Sequence, residues 1–225
     1  MCPVGESECV FLGEVQELRQ RTEELSELVH TDPLTELSNR RYLMQSLERE
    51  IERTRRSRQA TCVVMLDLDH FKSINDNHGH DIGDQALQQT ARILKQAVRQ
   101  LDIPCRYGGE EFVVILPATD LLTGVKVAER IRAMIEATPL PLQSDNSIND
   151  GLTMTASLGV DVVTFLSDDT PETVMKRADE LLYQAKEEGR NRVCHGRSPL
   201  TREEDHVSQD EKDALFGLFG DADGS

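Results

Sequence analysis

Hydrophobic residues in the middle of the chain recur with two different periods, and the alternation of these periods predicts the secondary structure. Short apolar runs such as 62–68 and 112–116 have the length of buried strands. Segments with apolar residues three and four positions apart, such as 84–99, are typical of amphipathic helices. The predicted strands are 61–69, 104–107, 110–116, 152–163 and 192–195, and the predicted helices are 70–77, 84–99, 122–137 and 172–188. This order predicts an α/β fold, an α+β sandwich in which helices pack against a central mixed sheet.

Turn and capping residues predict the boundaries of several elements. Asp32 followed by Pro33 is typical of a helix cap and a first-turn proline, which predicts a further helix that ends at about residue 58. Gly108-Gly109 between two strand-like runs predicts a two-residue hairpin turn. The polar stretch 143–151 predicts a return that pairs the strand 152–163 with residues 140–143. Gly189 is expected to end the last helix.

The two ends of the chain differ from its middle, which gives three predicted regions, 1–30, 31–197 and 198–225. Residues 11–29 carry apolar side chains at alternating four- and three-residue steps, a pattern typical of a short coiled coil. We expect this stalk to pair with that of a second copy; the alternative is a helix docked on its own domain. The acidic tail 198–225 is expected to be mostly disordered, apart from one short helix that a capping box at Ser208 would begin.

Charge and composition exclude several classes of partner. The chain has 25 Lys and Arg against 41 Asp and Glu, a formal charge of −16. It therefore has no basic field for the phosphates of a nucleic-acid polymer, although a nucleotide needs only a few local charges. No apolar run approaches the roughly 20 residues of a membrane helix, and the first ten residues lack the basic and apolar regions of a signal peptide. We expect a cytoplasmic protein that binds neither membranes nor nucleic-acid polymers.

Two acidic pairs are the first candidates for chemistry. Asp67 and Asp69 end a strand-like run, and Glu110 and Glu111 directly follow the two glycines of the predicted hairpin. Because successive strand residues face opposite sides, only one of the two glutamates can meet the aspartate of a neighbouring strand. Carboxylates brought together in this way suit Mg²⁺ with phosphates, and two such ions support phosphoryl or nucleotidyl transfer. The alternative is that the aspartates cap the following helix.

Lys186 and Arg190 lie on either side of Gly189, four residues apart, at the end of the last predicted helix. One interpretation is a pair of cations that neutralises the helix C-terminus. The other is a clamp on the terminal phosphates of a nucleotide.

Four segments resemble, in order and spacing, the motifs of the GGDEF family of diguanylate cyclases. They are DPLTELSNRR at 32–41, DLDHFKSINDNHGHDIGD at 67–84, RYGGEEF at 106–112 and ADELLYQAKEEGRNR at 178–192, and the similarity extends over roughly 31–197. The third segment is the GGEEF variant of the signature. The resemblance implies a fold related to class III nucleotidyl cyclases and polymerase palm domains. It also implies that two GTP molecules, each held by one subunit of a homodimer, condense into cyclic di-GMP and two pyrophosphates.

The resemblance further implies roles for individual residues. Asp67, the Leu68 carbonyl and Glu110 would hold Mg²⁺, with two ions per active site and Mn²⁺ as a substitute. Glu111 would help to deprotonate the attacking hydroxyl, unless a metal-bound alkoxide makes a protein base unnecessary. Asn75 and Asp84 would bind the guanine edge with His80 nearby. The other implied GTP contacts are Gly108 and Gly109 at the hairpin, Phe71 and Lys72 along the phosphates, and Lys186 and Arg190 at the β and γ groups.

Arg99 and Asp102 have the spacing and position of the family's inhibitory product site, and Arg130 corresponds to a secondary arginine of that site. We therefore expect cyclic di-GMP to inhibit its own synthesis. The alternative is a helix-end ion pair of under about 1 kcal/mol.

Regulation is expected to depend on the ends of the chain. Each subunit would hold one of the two GTP molecules, so the rate would depend on how the two domains face each other. We therefore expect a regulatory protein to bind the stalk or the tail. Residues 207–217 are similar to the short helix of flagellar switch proteins that receiver domains bind; the alternative is a tail helix that packs on its own domain. A different class of function is a catalytically silent GGDEF binding module or scaffold that senses GTP or cyclic di-GMP.

Overall fold

A six-stranded mixed sheet forms the centre of the computed structural model, which describes residues 30–142 and 151–196. Its strands follow the order β1-β3-β4-β2-β7-β8, and a separate two-stranded sheet pairs β5 with β6. β2 is antiparallel to both of its neighbours, whereas β1 and β8 run parallel to theirs at the two edges. The strands are β1 (Ser38–Asn39), β2 (Thr61–Leu68), β3 (Ile103–Gly108), β4 (Glu111–Leu116), β5 (Leu140–Pro141), β6 (Gly151–Leu152), β7 (Ala156–Val163) and β8 (Val193–His195).

Helices cover both faces of this sheet. They are α1 (Arg40–Ser57), α2 (Phe71–His78), α3 (His80–Ala97), α4 (Leu121–Ala137) and α5 (Pro171–Glu187). Every residue of β2 is buried, so its alternating side chains contribute to two separate apolar clusters. Val63 and Met65 pack with α1 and α5, while Val64 and Leu66 pack with α2, α3 and α4. The predicted α/β class, with helices against a mixed sheet, is confirmed.

α1 begins later than predicted. Asp32 closes a local turn, in which its Oδ1 accepts the Thr35 N–H at 2.8 Å and the Thr35 hydroxyl at 2.7 Å. The helix begins only at Arg40, where Asn39 is the cap and its Oδ1 accepts the Tyr42 N–H at 3.0 Å. The predicted start was wrong because an aspartate that caps one isolated turn has the same local sequence signature as a helix cap. The predicted end near residue 58 is confirmed.

The boundary between α2 and α3 also differs from the prediction. Gly79 separates the two helices with φ +83° and ψ 163°, a conformation that favours glycine, and α3 begins directly after it at His80. Asp84 therefore lies in the second turn of α3, whereas it was expected at the start of the helix. The run 80–83 contains too few apolar residues to signal a helix by periodicity.

Two strand boundaries are corrected as well. Gly108 pairs with Glu111, so the hairpin turn consists of Gly109 and Glu110 and not of the two glycines. The predicted strand 152–163 is divided between β6, which pairs with β5 as expected, and β7. Between β6 and β7 the chain passes from the small sheet to the central one. There, the Thr155 carbonyl accepts the N–H of Asp69, which directly follows β2, at 2.9 Å.

The predicted stalk at 11–29 and the predicted tail helix lie outside the described residues. Within the described residues, no helix is long and apolar enough to cross a membrane.

Candidate active site

Two carboxylates and one lysine meet where β2, β4 and α5 come together. Asp67 lies directly opposite Glu111 in the antiparallel pairing of β2 with β4, so both side chains lie on the face that α5 covers. From the last turn of α5, Lys186 Nζ reaches Asp67 Oδ1 at 2.9 Å. The expectation that one glutamate would meet the aspartate is confirmed, and the register identifies it as Glu111. Lys186 binds a carboxylate across the domain and does not simply neutralise the end of its own helix.

Burial perturbs both carboxylates. Asp67 is 7% exposed, and this burial raises its pKa above the usual range for aspartate, while the hydrogen bond from Lys186 opposes the rise. Burial also raises the pKa of Glu111, and the neighbouring Asp67 raises it further. Perturbed, mutually repelling carboxylates of this kind are typical of functional sites.

Glu110 approaches the same place from the hairpin turn. The Leu68 N–H donates to the Glu110 carbonyl at 3.4 Å, which ties the turn to the end of β2. Arg106 holds the turn from the other side, because its Nη2 donates to the Gly109 carbonyl at 2.9 Å and its Nη1 to Asp32 at 3.2 Å. Sequence reasoning missed this role of Arg106 and Asp32, although both lie within the motifs.

Asn75 of α2 lies against the second turn of α3. A methyl group at Gly83 would lie 1.9 Å from Asn75 Oδ1, so the glycine provides the space for this side chain beside Asp84. Lys72, His80 and Asp84 are exposed at the same pair of helices. Phe71, by contrast, is 8% exposed and packs in the core. The structure thus brings the predicted base-contact residues together but leaves only the backbone of Phe71 for a ligand.

Asp69 has a different role from the predicted helix cap. α2 begins after His70, which makes no side-chain capping bond. The Asp69 carboxylate accepts from the Thr155 hydroxyl at 2.8 Å, the Ser157 hydroxyl at 2.7 Å and the Asn191 N–H at 3.0 Å. It therefore joins the end of β2 to β7 and to the turn after α5. The alternative interpretation, that this aspartate caps α2, was wrong, because its partners are far away in sequence.

The predicted inhibitory residues form a second cluster at the end of α3. The Arg99 N–H donates to Asp102 Oδ2 at 2.7 Å, so the carboxylate closes a backbone turn. Arg130 of α4 reaches this cluster, where its Nη2 donates to the Ala97 carbonyl. The alternative interpretation, a helix-end ion pair, is not the contact that forms, because the Asp102 carboxylate bonds to the backbone of residue 99.

The donor atoms of the predicted metal site at the end of β2 are of the chemical type that a divalent cation prefers. Within 30–142 and 151–196, no group of three or more His, Cys, Asp and Glu side chains is arranged to hold a metal. The predicted set instead combines the Asp67 and Glu110 carboxylates with the Leu68 carbonyl, all hard oxygen donors of the type that Mg²⁺ prefers. Glu110 and Asp69 each raise the pKa of Asp67, so a cation would offset a concentration of negative charge here.

Comparisons with known proteins agree on one family. A family model described as diguanylate cyclase, GGDEF domain, matches residues 29–192. The response regulator PleD of Caulobacter vibrioides is 44% identical over 176 residues, which are 78% of this chain and 38% of PleD. The diguanylate cyclase DosC of Escherichia coli is 37% identical over 177 residues, 78% of this chain and 37% of DosC. The chain thus spans well under half the length of these curated relatives.

Solved structures give the same fold. The coiled coil and GGDEF domain of DgcB from Caulobacter crescentus, in complex with c-di-GMP, is 31% identical with a TM-score of 0.70, covering 84% of this chain and 97% of that chain. Diguanylate cyclase SiaD from Pseudomonas aeruginosa, in complex with its activator SiaC, is 34% identical with a TM-score of 0.70, covering 85% of this chain and 71% of that chain.

Proposed function

Because the chain belongs to the GGDEF family of diguanylate cyclases, we propose that it condenses two GTP molecules into cyclic di-GMP and two pyrophosphates. The observation that carries the proposal is the contact of Asp67 with Lys186 at 2.9 Å, on the same face as Glu111. At one end of β2 lie the carboxylate that would bind the metal, the carboxylate that would accept the proton and the lysine that would bind phosphate. These are the groups that nucleotidyl transfer requires.

In each half of the proposed reaction, the 3′-hydroxyl of one GTP attacks the α-phosphorus of the other and pyrophosphate leaves. Glu111 would accept the hydroxyl proton, and the raised pKa of its carboxyl makes it a stronger base for this step. Lys186 and Arg190 would bind the β and γ phosphates and stabilise the charge of the departing pyrophosphate. Mg²⁺ held by Asp67, the Leu68 carbonyl and Glu110 would supply further stabilisation of that charge.

The pair of helices α2 and α3 would bind the rest of the nucleotide. The first N–H groups of α2 are free of helical partners, so the backbone of Phe71 and Lys72 offers donors to a phosphate, and the Lys72 ammonium adds charge. Asp84 can accept from guanine N1–H and N2–H₂ together, which adenine cannot offer, and Asn75 lies beside it. A site that depends on such hydrogen bonds can reject the wrong base by a factor of roughly 10⁴.

The direct test of the function uses the purified protein with GTP and Mg²⁺, followed by chromatographic separation of the nucleotides. We expect cyclic di-GMP and pyrophosphate from GTP and no cyclic dinucleotide from ATP under the same conditions. Absence of product from folded, dimeric protein that binds GTP would contradict the proposal and support a silent binding module.

Gly83→Ala is expected to raise the KM for GTP about tenfold or more while the protein stays folded. The new methyl group would displace the Asn75 amide, which lies at the end of a flexible side chain and can move away without disturbing the core. Steady-state kinetics and thermal melting would measure the two effects. Gln85→Ala, at an exposed position of the same helix turn, is the matched control, and an unchanged KM in Gly83→Ala would argue against Asn75 as a base contact.

We also propose that Arg99, Asp102 and Arg130 bind cyclic di-GMP and inhibit the enzyme. Arg99→Ala is expected to leave the initial rate unchanged and to abolish inhibition by added product. The Asp102 carboxylate bonds to the backbone N–H of residue 99, so the turn survives the loss of the arginine side chain. Initial rates at increasing product concentration provide the measurement, with the exposed Arg92 of α3 changed to Ala as control. Inhibition that persists in Arg99→Ala would exclude this site.

The proposed reaction needs two subunits, because each holds one GTP. The DgcB structure that resembles this chain includes a coiled coil, and the SiaD structure includes an activator protein. These likenesses support a homodimer formed through the stalk at 11–29 and a regulatory protein that binds the stalk or the tail.

A further inference from the structure

The turn that follows α5 has an unusual backbone. Gly189, Arg190 and Asn191 are three consecutive residues with positive φ, at +117°, +63° and +46°. Only the first of them is glycine, and a non-glycine residue in this region costs of order 1 kcal/mol or more. Such a turn persists only where its surroundings hold it.

Asn191 bonds the far end of the turn to groups outside α5. Its backbone N–H donates to Asp69 Oδ2 at 3.0 Å. Its side chain makes two more bonds to α4, since its Nδ2 donates to Glu136 Oε1 at 2.8 Å and its Oδ1 accepts from Arg132 Nη1 at 2.9 Å. Asn191 is therefore bonded to the core on one side and to a helix on the other.

The partners of Asn191 are themselves fixed. Asp69 is 5% exposed and accepts from the Ser157 and Thr155 hydroxyls of β7 and of the segment before it. Arg132 is fixed by Glu129 and by Glu136, each at 2.8 Å. The turn is thus bonded to fixed groups at the end of β2 and on α4. These bonds restrain the direction in which the backbone can present the Arg190 side chain.

Arg190 depends on this restraint in a way that Lys186 does not. Lys186 belongs to α5, so the helix backbone and its bond to Asp67 position it. Arg190 comes after the helix, its side chain is exposed, and within the described part of the chain it forms no ion pair. Its N–H donates to the Ala185 carbonyl at 3.0 Å, so its direction relative to Lys186 is set by this bond and by the backbone of the turn.

From this arrangement we infer that Asn191 is a positioning residue, which holds Arg190 where it and Lys186 bind the same polyphosphate. The inference rests on the proposed function, and it assigns to Asn191, Asp69 and the Arg132–Glu136 pair the task of fixing the phosphate clamp. Asn191 acts through Arg190 and touches no substrate itself.

Two substitutions test the inference, one at each end of the hydrogen bond between Asn191 and Glu136. Asn191→Gly removes the side-chain bonds to α4 but suits a positive φ, so it adds no backbone strain. Glu136→Ala removes the carboxylate that accepts from Asn191 Nδ2. Each is expected to weaken binding of a GTP analogue with a non-cleavable α,β-methylene bridge by about tenfold, the scale of losing one charge-assisted bond between Arg190 and a phosphate. Isothermal titration calorimetry with the full chain provides the dissociation constants.

Glu129→Ala is the matched control. Glu129 and Glu136 both pair with Arg132 from α4, but only Glu136 contacts Asn191. We expect Glu129→Ala to bind the analogue as wild type does. Equal weakening in both glutamate variants would mean that the effect comes from a general disturbance of α4 and would overturn the inference.

A double-mutant cycle with Arg190→Ala separates positioning from general damage. If Asn191 acts through Arg190, Asn191→Gly combined with Arg190→Ala binds the analogue no more weakly than Arg190→Ala alone. Additive losses would overturn the inference.

Failure of the wild-type chain to bind the analogue would overturn the proposed function itself. Normal binding by wild type, together with no change in Asn191→Gly, would overturn only the role of Asn191.

Discussion

Asp67→Asn is expected to lower the rate of cyclic di-GMP synthesis by at least about a thousandfold, the scale of loss when a preorganised charge at a reacting centre is removed. The neutral amide keeps the shape of the side chain but removes the charge that would bind the metal ion and that pairs with Lys186. The measurement is product formation from GTP and Mg²⁺ under single-turnover conditions. A variant that retains more than a tenth of the wild-type rate would remove Asp67 from the proposed metal site.

The same substitution is expected to leave the free energy of unfolding at pH 7 unchanged or higher. Because burial raises the pKa of Asp67 in the folded state, the folded protein binds this proton more tightly than the unfolded chain does. Stability from this group is therefore greatest below the unfolded pKa and falls as the pH rises through the raised folded pKa. Asparagine carries no such penalty. Lys186 is 31% exposed and remains hydrated without its partner.

Urea unfolding at pH 7 measures this second effect. Asp168→Asn is the matched control, because that carboxylate is fully exposed and pairs with Arg55 at the surface. We expect the control to change neither the rate nor the unfolding midpoint. A clear fall in the midpoint of Asp67→Asn would mean that the ion pair with Lys186 stabilises the fold more than burial of the charge destabilises it.

Gly159→Ala is expected to destabilise the domain by about 3 kcal/mol, at the upper end of the usual cost of overpacking. A methyl group at this position of β7 would lie 2.3 Å from the Ala178 carbonyl oxygen and 2.4 Å from the Leu182 nitrogen. Both atoms belong to the backbone of α5, so no side chain can rotate away and the helix itself must move. For a domain of this size, the loss corresponds to a melting temperature roughly 10 °C lower.

Differential scanning calorimetry is the measurement for Gly159→Ala. Gly108→Ala is the control for stability, because no atom lies within 4 Å of where its methyl group would be. The same displacement would move Lys186, which is on α5, so we also expect weaker binding of GTP at temperatures where the variant is still folded. A melting temperature equal to that of wild type would show that α5 can move away from the sheet at little cost.

Local sequence patterns were sufficient for most of the elements. The length of the apolar run in β2 and the spacing of Leu87, Ala91 and Leu94 in α3 predicted both elements, because burial requires these periods wherever the segment packs. The same patterns failed at Asp32 and at Gly79. At Asp32, a capped turn has the same local sequence signature as a helix cap. At Gly79, the first turn of α3 lacks the apolar residues by which periodicity detects a helix.

The candidate site was predicted as a set of residues but not as a geometry. Asp67, Glu110, Glu111 and Lys186 were identified from motifs, and the alternation of strand residues predicted that one glutamate would face Asp67. Which of the two does so depends on the register of β2 with β4, and that register depends on a turn at Gly109 and Glu110. A shift of one residue would exchange their faces.

By itself, the sequence determined the family, the α/β class and the residue types at the site, because motifs and periodic burial are local properties of the chain. Only the tertiary structure decided that Glu111 lies opposite Asp67, that Lys186 reaches the same carboxylate, and that Asp69 and Asn191 bond to each other. Those contacts join residues far apart in sequence. Their formation depends on how the helices pack on the sheet, and no local pattern contains that information.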